Sequence, residues 1–335
     1  MSEVLAKVMR NGIKESLHRG SFVFVNIKGE ILSSIGDPLE RAFMRSAAKP
    51  FQLLSLFKSG AYDRYRFDLK EIAVMTASHN GDEEHTSIVS EILKKLGFTA
   101  EYLKCGLILP LDSITRRKLI INGEKPSQLH SPCSGKHATM LAVCKQMNWN
   151  LDDYTKPEHP LQKYILEIIS EITSLSVEKI GLGVDDCGVP SYVLPLYNMA
   201  LGFSRLANQE TLSKKYQKGA KLILGAINQY PQLAAGRNIF TTKLLAGTEK
   251  DLIAKEGSEG VYCLGIPKKG IGFALKIEDG NFRPVQVVVL EALRQMGLLT
   301  EKDKDDLAAY FIVKIRDNQK RVVGEIIPAF SLKEV

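Results

Sequence analysis

The chain has 335 residues, of which 44% are hydrophobic and 25% are charged, an ordinary balance for a globular protein with a sizeable core. Its formal net charge of +7 comes from lysines and arginines that are scattered along the chain, which argues against nucleic-acid binding. No apolar run approaches the ~20 residues that a membrane span needs, so no membrane association is expected.

The cysteines and the N-terminus together predict a cellular compartment. The five cysteines are an odd number, and the first residues lack the charged and apolar regions of a signal peptide. Reduced thiols in the cytoplasm are therefore expected.

The predicted elements begin with a β-hairpin. Two short strands, residues 22–25 and 30–35, are joined by a polar turn that contains Gly29, as is typical of hairpins. A helix over residues 46–58 follows, and we expect it to end at Gly60 because glycine commonly terminates helices.

The start of this helix carries a hydroxyl and an amine three residues apart, Ser46 and Lys49. Side chains at i and i+3 share one face of a helix, so Lys49 can reach the Ser46 hydroxyl. A serine becomes a good nucleophile when a base takes its proton, and a partly buried lysine can be that base if desolvation lowers its pKa. The pattern indicates a serine nucleophile, and the helix N-terminus would favour a developing oxyanion.

A second polar segment begins at Ser78, directly after an apolar run over residues 71–77. Small and polar residues at the end of an element indicate a loop, where catalytic groups tend to lie. A helix is predicted from there to about Leu96. Residues 99–132 have no clear period, and helical patterns then recur at residues 138–147, 160–174 and 190–228.

Two further segments place a thiol near a charged residue. Cys133 and Lys136 lie at i and i+3 at the start of a predicted helix, and Asp185 and Cys187 lie at i and i+2, on one face of an extended segment. Buried cysteines are usually inert packing, although two thiolates also suit zinc.

The C-terminal part predicts more strands. A second hairpin is expected over residues 260–267 and 271–277, followed by a helix at 285–296 and a last strand at 322–327. Strands at both ends of the chain with helices between them predict an α+β fold. We expect a single catalytic domain, residues 1–335, with a helical insert at roughly 100–230.

Four motifs in order carry a resemblance to a known family; they span residues 45–52, 78–81, 133–137 and 183–190. Together they resemble the asparaginase II family of the Rhizobium etli type, the thermolabile asparaginases, over about residues 10–330. The resemblance implies a fold like that of serine β-lactamases, penicillin-binding proteins and glutaminases, with packed helices on an antiparallel sheet. It also implies a homodimer that hydrolyses L-asparagine to L-aspartate and ammonia.

The resemblance also implies roles for individual residues. The catalytic residues would be two serine–lysine pairs, namely Ser46 with Lys49 and Ser78 with Lys255. Zn²⁺ would be held by Cys133, Lys136 and Cys187. The residues that would bind substrate are Arg45, His79, Asn80, Asp185 and Gly236.

The chain departs from the family pattern at several positions. Ser131 and Pro132 stand where two asparagines are common, and Ile239 and Thr241 stand where Arg and Asp are common. These departures concern substrate preference and rate more than the type of reaction.

Two alternatives stay open at this stage, and a third is disfavoured. Glutaminase differs by one methylene in the substrate, a margin of only ~1–3 kcal/mol that sequence does not resolve. A penicillin-recognising enzyme is disfavoured because no Ser-Asp-Asn motif occurs. A zinc-dependent amino-acid-binding protein without turnover is the alternative that is not an enzyme.

Overall fold

Most strands come from the two ends of the chain, and most helices come from its middle. The computed structural model describes residues 1–237, 239–247 and 252–332. Its strands are β1 (Glu3–Arg10), β2 (Ile13–Asn26), β3 (Ile31–Ile35), β4 (Arg41–Phe43), β5 (Gly181–Val184), β6 (Pro190–Pro195), β7 (Ile253–Gly257), β8 (Val261–Ile266), β9 (Ile271–Ile277), β10 (Val313–Arg316) and β11 (Val322–Pro328).

The α-helices are α1 (Lys49–Lys58), α2 (Ala61–Tyr65), α3 (Leu69–Thr76), α4 (Glu83–Leu96), α5 (Ser113–Asn122), α6 (Ser134–Met147), α7 (Pro160–Thr173), α8 (Leu196–Ala207), α9 (Lys214–Gln229), α10 (Pro231–Ala235), α11 (Phe240–Gly247), α12 (Val285–Gln295), α13 (Glu301–Asp306) and α14 (Ala308–Phe311). Short 3₁₀ helices occur at Arg45–Ala48, Ala100–Tyr102, Gln128–His130, Val177–Lys179, Gln209–Thr211 and Pro267–Lys269. An antiparallel sheet combined with many helices is compatible with the predicted α+β class.

The chain divides into two compact units, each assembled from separate segments. The sheet unit comprises Met1–Ala47, Leu194–Asn208 and Lys243–Val335, and the helical unit comprises Ala48–Val193 and Gln209–Thr242. Most of the predicted helical insert falls in the helical unit. The prediction of a single catalytic domain stays a prediction.

The sheet unit is built on an antiparallel sheet with the strand order β10-β11-β1-β2-β9-β8-β7, and β3 pairs with β2. The two predicted hairpins are confirmed. Phe22 of β2 lies opposite Ile35 of β3, and Ile266 of β8 lies opposite Ile271 of β9. The first strand of the chain also pairs with the last, with Ala6 opposite Pro328.

Helix α8 packs directly on this sheet because glycines in the strands leave room for its backbone. A Cβ atom on Gly272 of β9 would lie 1.9 Å from the carbonyl oxygen of Ala200, and one on Gly265 of β8 would lie 2.2 Å from that of Phe203. The aromatic rings of Phe22, Phe24 and Phe273 form a cluster on the sheet. These contacts bury large apolar side chains and define the core of the sheet unit.

The helical unit is a cluster of helices around α1, α3 and α6. Helix α1 packs against α6, α7 and α9, and α3 packs against α6 and α9. Two glycines allow close approach: a Cβ atom on Gly135 of α6 would lie 2.3 Å from the Val74 carbonyl oxygen of α3, and one on Gly219 of α9 would lie 2.6 Å from the Phe57 ring of α1. Lys49 and Lys136 lie in the first turns of α1 and α6, and Ser78 lies just after α3.

Some elements differ from the sequence prediction. The helical pattern over residues 190–228 was wrong at its start, because residues 190–195 form strand β6 and pair with β5, with Val193 opposite Gly181. Pairing with the preceding strand in a hairpin here outweighs the helical pattern. Helix α5 lies in the region without a clear period, and β1 was not predicted.

Within the three described ranges, no helix is both long enough and apolar enough to cross a membrane.

Candidate active site

Lys49 is the first residue of α1, and its amine is buried among three oxygen atoms of the helical unit. Its Nζ lies 2.6 Å from the carbonyl oxygen of Ala77, 2.9 Å from Oγ of Ser78 and 3.3 Å from the carbonyl oxygen of Pro132. Ser78 lies just beyond α3, whose C-cap residue Ala77 turns into extended backbone. The structure therefore joins a lysine and a serine that are 29 positions apart.

This pairing is not the one expected from helical spacing. The i, i+3 argument and the family resemblance both join Lys49 to Ser46, and the resemblance joins Ser78 to Lys255. The hydrogen bond between Lys49 and Ser78 depends on how the end of α3 packs beside α1, which no local pattern encodes.

The remaining catalytic candidates belong to the sheet unit. Arg45 and Ser46 lie, half-buried, in the 3₁₀ helix that precedes α1. Arg45 has a left-handed backbone with φ of 50°, a conformation that costs a non-glycine residue roughly 1–2 kcal/mol and that is enriched at active sites.

Lys255 is buried in strand β7, where its Nζ lies 2.5 Å from Oε1 of Glu256. Gly257 on the same strand runs close to the segment that carries Arg45: a Cβ atom on Gly257 would lie 2.4 Å from the carbonyl oxygen of Met44 and 3.3 Å from Cβ of Arg45. The sheet unit thus brings the strand of Lys255 to the turn that presents Arg45.

His79 is fully buried and its ring is held from both sides. Nδ1 accepts a hydrogen bond from the Gly81 N–H at 3.1 Å, so Nε2 carries the proton and donates to Oγ of Ser134 at 2.8 Å. Burial, together with the charges of His85 and Lys49, lowers the pKa of His79 well below its usual value. A neutral, enclosed imidazole of this kind positions the loop around it.

Asn80 is held in place by contacts from two other segments of the helical unit. The backbone carbonyl oxygen of Asn80 accepts a hydrogen bond of 2.8 Å from the backbone N–H of Asp112. The backbone of Gly236, with φ of 106°, lies against its side-chain amide, and a Cβ atom at that position would come within 2.9 Å of the amide nitrogen. The structure thus brings together two residues predicted to bind substrate.

Asp82 connects this loop to the start of helix α4. Its Oδ1 accepts hydrogen bonds from the His85 backbone N–H at 3.0 Å and from His85 Nδ1 at 2.7 Å. Arg237 lies 3.8 Å from Asp82 and 2.6 Å from Glu84. Burial opposes ionisation of Asp82, but the hydrogen bonds from His85 and the charge of Arg237 outweigh it and lower the pKa of Asp82 to about 2.

Cys133, Lys136 and Cys187 form a cluster with Asp185. Cys133 is the N-cap residue of α6, one turn before Lys136, and Asp185 and Cys187 belong to the turn between β5 and β6. Nζ of Lys136 lies 2.9 Å from Sγ of Cys187 and 3.8 Å from Oδ2 of Asp185. Pro132, which accepts a hydrogen bond from Lys49, immediately precedes Cys133, so the Lys49–Ser78 pair adjoins the cluster.

The pKa values of the two thiols of the cluster shift in opposite directions. The hydrogen bond to Cys187 and the charge of Lys136 lower the pKa of Cys133, while the same hydrogen bond and burial raise the pKa of Cys187. Burial opposes the charge of Lys136, but the negative charges of Cys133, Cys187 and Asp185 outweigh it and raise the pKa of Lys136.

This donor set was compared with what a metal ion requires. Among the residues that the structure describes, no three His, Cys, Asp or Glu side chains converge as a metal-binding group. The two thiols would therefore need the amine of Lys136 as a third ligand. The surrounding negative charge favours the ammonium form of Lys136, so a metal could use this third donor only by displacing its proton.

The structure also shows supporting residues that sequence reasoning missed. They are Ser134, which accepts from His79, and Asp112 and His85 described above. Ser134 stands inside the motif at 133–137 and could have been singled out there. Asp112 carried no signal, because it contributes its backbone N–H. Of the departures from the family pattern, Thr241 is buried and Ile239 is half-buried.

Comparison with known proteins completes the assignment. No curated protein matches the chain. A family model for L-asparaginase II matches residues 6–328, almost the whole chain. The chain therefore belongs to the L-asparaginase II family and is a hydrolase that acts on the side-chain amide of asparagine.

Proposed function

We propose that the chain hydrolyses L-asparagine to L-aspartate and ammonia through a serine nucleophile activated by Lys49. We assign it to the Rhizobium etli type within the family, with the β-lactamase-like fold that the resemblance implies. The observation that carries the proposal is the contact of 2.9 Å between Nζ of Lys49 and Oγ of Ser78.

Lys49 donates hydrogen bonds to the carbonyl oxygens of Ala77 and Pro132 and to Oγ of Ser78, a set of acceptors that matches the three N–H groups of an ammonium. To act as a base, Lys49 must first lose one proton. The carbonyl oxygens can only accept, so they would keep two N–H groups, and the lone pair could then accept the hydroxyl proton of Ser78.

The reaction then follows the usual course of acyl transfer. The serine oxygen attacks the amide carbon of asparagine while Lys49 takes the hydroxyl proton. The proton passes to the leaving nitrogen as the carbon–nitrogen bond breaks, which releases ammonia and leaves a β-aspartyl ester. Water, deprotonated in the same way, hydrolyses the ester to aspartate and restores the serine.

Two serines compete for the role of nucleophile in this proposal. Ser46 is assigned by the family resemblance, and the hydroxyl of Ser78 lies within hydrogen-bond distance of Lys49. The serine that does not attack, with Lys255, would carry protons to ammonia and from water. The proposed substrate contacts are the guanidinium of Arg45 to the α-carboxylate, Asp185 to the α-amino group, and Asn80.

We further propose a zinc ion held by Cys133, Lys136 and Cys187. When bound, zinc would supply a local positive charge close to the Lys49–Ser78 pair. His79 and Gly236 position Asn80 in this scheme.

We also propose that the protein is a homodimer and that it lies in the cytoplasm.

A trapping experiment tests the chemistry. The protein is mixed with asparagine and quenched in acid, and peptide mass spectrometry locates the aspartyl ester. We expect the ester on Ser46 or Ser78, and turnover in the Ser46→Ala, Ser78→Ala and Lys49→Met variants at least ~10³-fold below wild type.

Ser55→Ala is the matched control, because the Ser55 hydroxyl lies on the same helix and donates only to the main chain of Gln52; it should retain wild-type turnover. An ester on neither serine, or full ammonia release by Lys49→Met, would refute the proposal. Glutamine assayed in parallel measures the preference for chain length. Tight asparagine binding without ammonia release by the intact protein would instead identify a binding protein.

A further inference from the structure

The outward face of helix α5 is both apolar and basic. Within α5, all of which the structure describes, only Leu119 is buried. Ile114 and Ile121 lie seven positions apart, so they project in nearly the same direction, about 150° around the helix from Leu119. These two isoleucines are 67% and 70% exposed. Arg117 and Lys118, which are also exposed, lie on either side of them, so the face combines aliphatic and cationic side chains.

The loop before α5 extends this surface. Its exposed aliphatic side chains are those of Leu107, Ile108, Leu109 and Leu111. We call residues 107–121 the aliphatic segment, because every apolar side chain in it except that of Pro110 is Leu or Ile. Single exposed apolar residues are ordinary on a protein surface, but a group of them marks an interaction site. The segment therefore predicts a partner that is itself apolar.

The charges around the aliphatic segment indicate a second property of that partner. Five basic residues lie between positions 104 and 125, against two acidic ones, Asp112 and Glu124. The carboxylate of Asp112 is occupied, because it accepts hydrogen bonds from the backbone N–H and the hydroxyl of Thr115. Glu124 lies beyond the end of α5 at Asn122, so the helix itself carries no negative charge. Such a surface attracts an anionic partner and repels a second copy of itself.

We propose that the aliphatic segment binds the surface of an anionic phospholipid bilayer. Its Leu and Ile side chains would enter the boundary between the head groups and the acyl chains, while Arg117 and Lys118 would contact the lipid phosphates. Long basic side chains suit this position, because their apolar stems can lie along apolar surface while the charge stays in water. Binding at a bilayer surface needs no spanning helix, so this inference revises the expectation of no membrane association, which rested on the length of apolar runs.

An acidic protein is the other partner that would match this charge. Protein interfaces draw most of their binding energy from Trp, Tyr and Arg, and Leu is under-represented among the residues that dominate it. The aliphatic segment contains no aromatic residue. Because the hydrophobic effect is non-directional, a fluid bilayer accepts aliphatic side chains without shaped pockets. The composition of the segment therefore favours lipid over protein.

The aliphatic segment also contacts the loop that carries Asn80. The backbone N–H of Asp112 donates to the backbone carbonyl oxygen of Asn80 at 2.8 Å, and Cβ of Pro110 lies 3.2 Å from the position that a Cβ atom on Gly81 would take. Fixing the segment on a bilayer would therefore restrain Asn80 and lower KM for asparagine. This coupling rests on the proposed function, whereas the lipid binding does not.

Co-sedimentation with vesicles tests the lipid binding without any substrate. The vesicles are pure phosphatidylcholine or an equal mixture of phosphatidylcholine and phosphatidylserine, and the wild type should bind the mixed vesicles more tightly. Arg117→Gln/Lys118→Gln should weaken this binding roughly 25-fold, at roughly fivefold for each charge. Ile114→Ser/Ile121→Ser should weaken it at least ~10-fold.

The matched controls remove the same kinds of side chain from strand β2, where Ile13, Lys14 and Arg19 are exposed. Ile13→Ser and Lys14→Gln/Arg19→Gln should both bind as the wild type does. Absence of vesicle binding by the wild type would overturn the proposal. Equal weakening by Lys14→Gln/Arg19→Gln would also overturn it, because net charge alone would then explain the binding. Binding to soluble polyglutamate but not to vesicles would identify an acidic protein partner and overturn it as well.

Steady-state kinetics test the coupling separately. Adding the mixed vesicles should lower KM for asparagine several-fold in the wild type, with kcat nearly kept, and should leave KM unchanged in Ile114→Ser/Ile121→Ser. An unchanged KM in wild type that binds the vesicles would overturn the coupling but not the lipid binding. If the protein released no ammonia, the proposed function would fail and co-sedimentation would still decide the lipid binding.

Discussion

Replacing Gly135 by alanine should separate helices α6 and α3. The new Cβ atom would lie 2.3 Å from the Val74 carbonyl oxygen, 2.9 Å from its carbonyl carbon and 3.2 Å from Cα of Met75. These are backbone atoms of α3 that cannot rotate away. Reaching 3.4 Å, where ordinary contact begins, requires a shift of 3.4 − 2.3 = 1.1 Å.

The expected cost follows from two opposing effects. Forcing an extra methyl group into a packed interface costs about 1–3 kcal/mol, whereas alanine gains about 1 kcal/mol over glycine in the interior of a helix. Gly225 of helix α9 isolates the second effect, because nothing lies within 4 Å of the position that its Cβ atom would take. Gly225→Ala should therefore stabilise the protein by up to about 1 kcal/mol. Gly135→Ala combines the steric cost with the same gain, so it should lower the free energy of unfolding by up to about 2 kcal/mol.

Urea denaturation followed by far-UV circular dichroism measures both variants. The shift of α6 would also displace Ser134 and Lys136, so kcat/KM should fall in Gly135→Ala and stay unchanged in Gly225→Ala. If Gly135→Ala proved as stable as Gly225→Ala, the close approach of α6 to α3 would not be a constraint and the reasoning would be refuted.

Three further predictions concern the loop, its carboxylate and the metal. Gly236→Ala should push the Asn80 amide aside and raise KM at least ~10-fold. Gly297→Ala, also at a positive φ but with nothing within 4 Å of the new Cβ atom, should leave steady-state kinetics unchanged. Because the pKa of Asp82 is lowered to about 2, its ionised carboxylate stabilises the fold above pH ~4, and this stabilisation is lost as the pH falls through ~2. Asp82→Asn should therefore lower the free energy of unfolding above pH ~4 by about 1–2 kcal/mol, after allowing for partial exposure. Urea titrations should show that the difference from wild type shrinks between pH ~4 and ~2, and a difference that does not change with pH would contradict the prediction. Elemental mass spectrometry should find about one zinc ion per chain in the wild type and much less in Cys187→Ser. Equal zinc content in the wild type and the variant would exclude the cluster of Cys133, Lys136 and Cys187 as the zinc site.

The sequence by itself determined those features that local patterns encode. Both hairpins, the helix that starts near Lys49 and the helix at 285–296 follow from turn residues and apolar periodicity, which act over a few neighbouring residues. The order of the motifs was sufficient to place the chain in its family, since a family is recognised by residues and their spacing. The chemistry of single groups, such as thiols that suit zinc, is equally a property of residue type.

Only the tertiary structure decided which of these groups meet. The contact of Lys49 with Ser78, the backbone hydrogen bond from Asp112 to Asn80 and the pairing of β1 with β11 all join positions that are far apart in sequence. Such contacts depend on how whole helices and strands pack, for example on Gly135 letting α6 approach α3. The exposure of α5 is likewise invisible in its sequence, because burial is a property of what surrounds a residue.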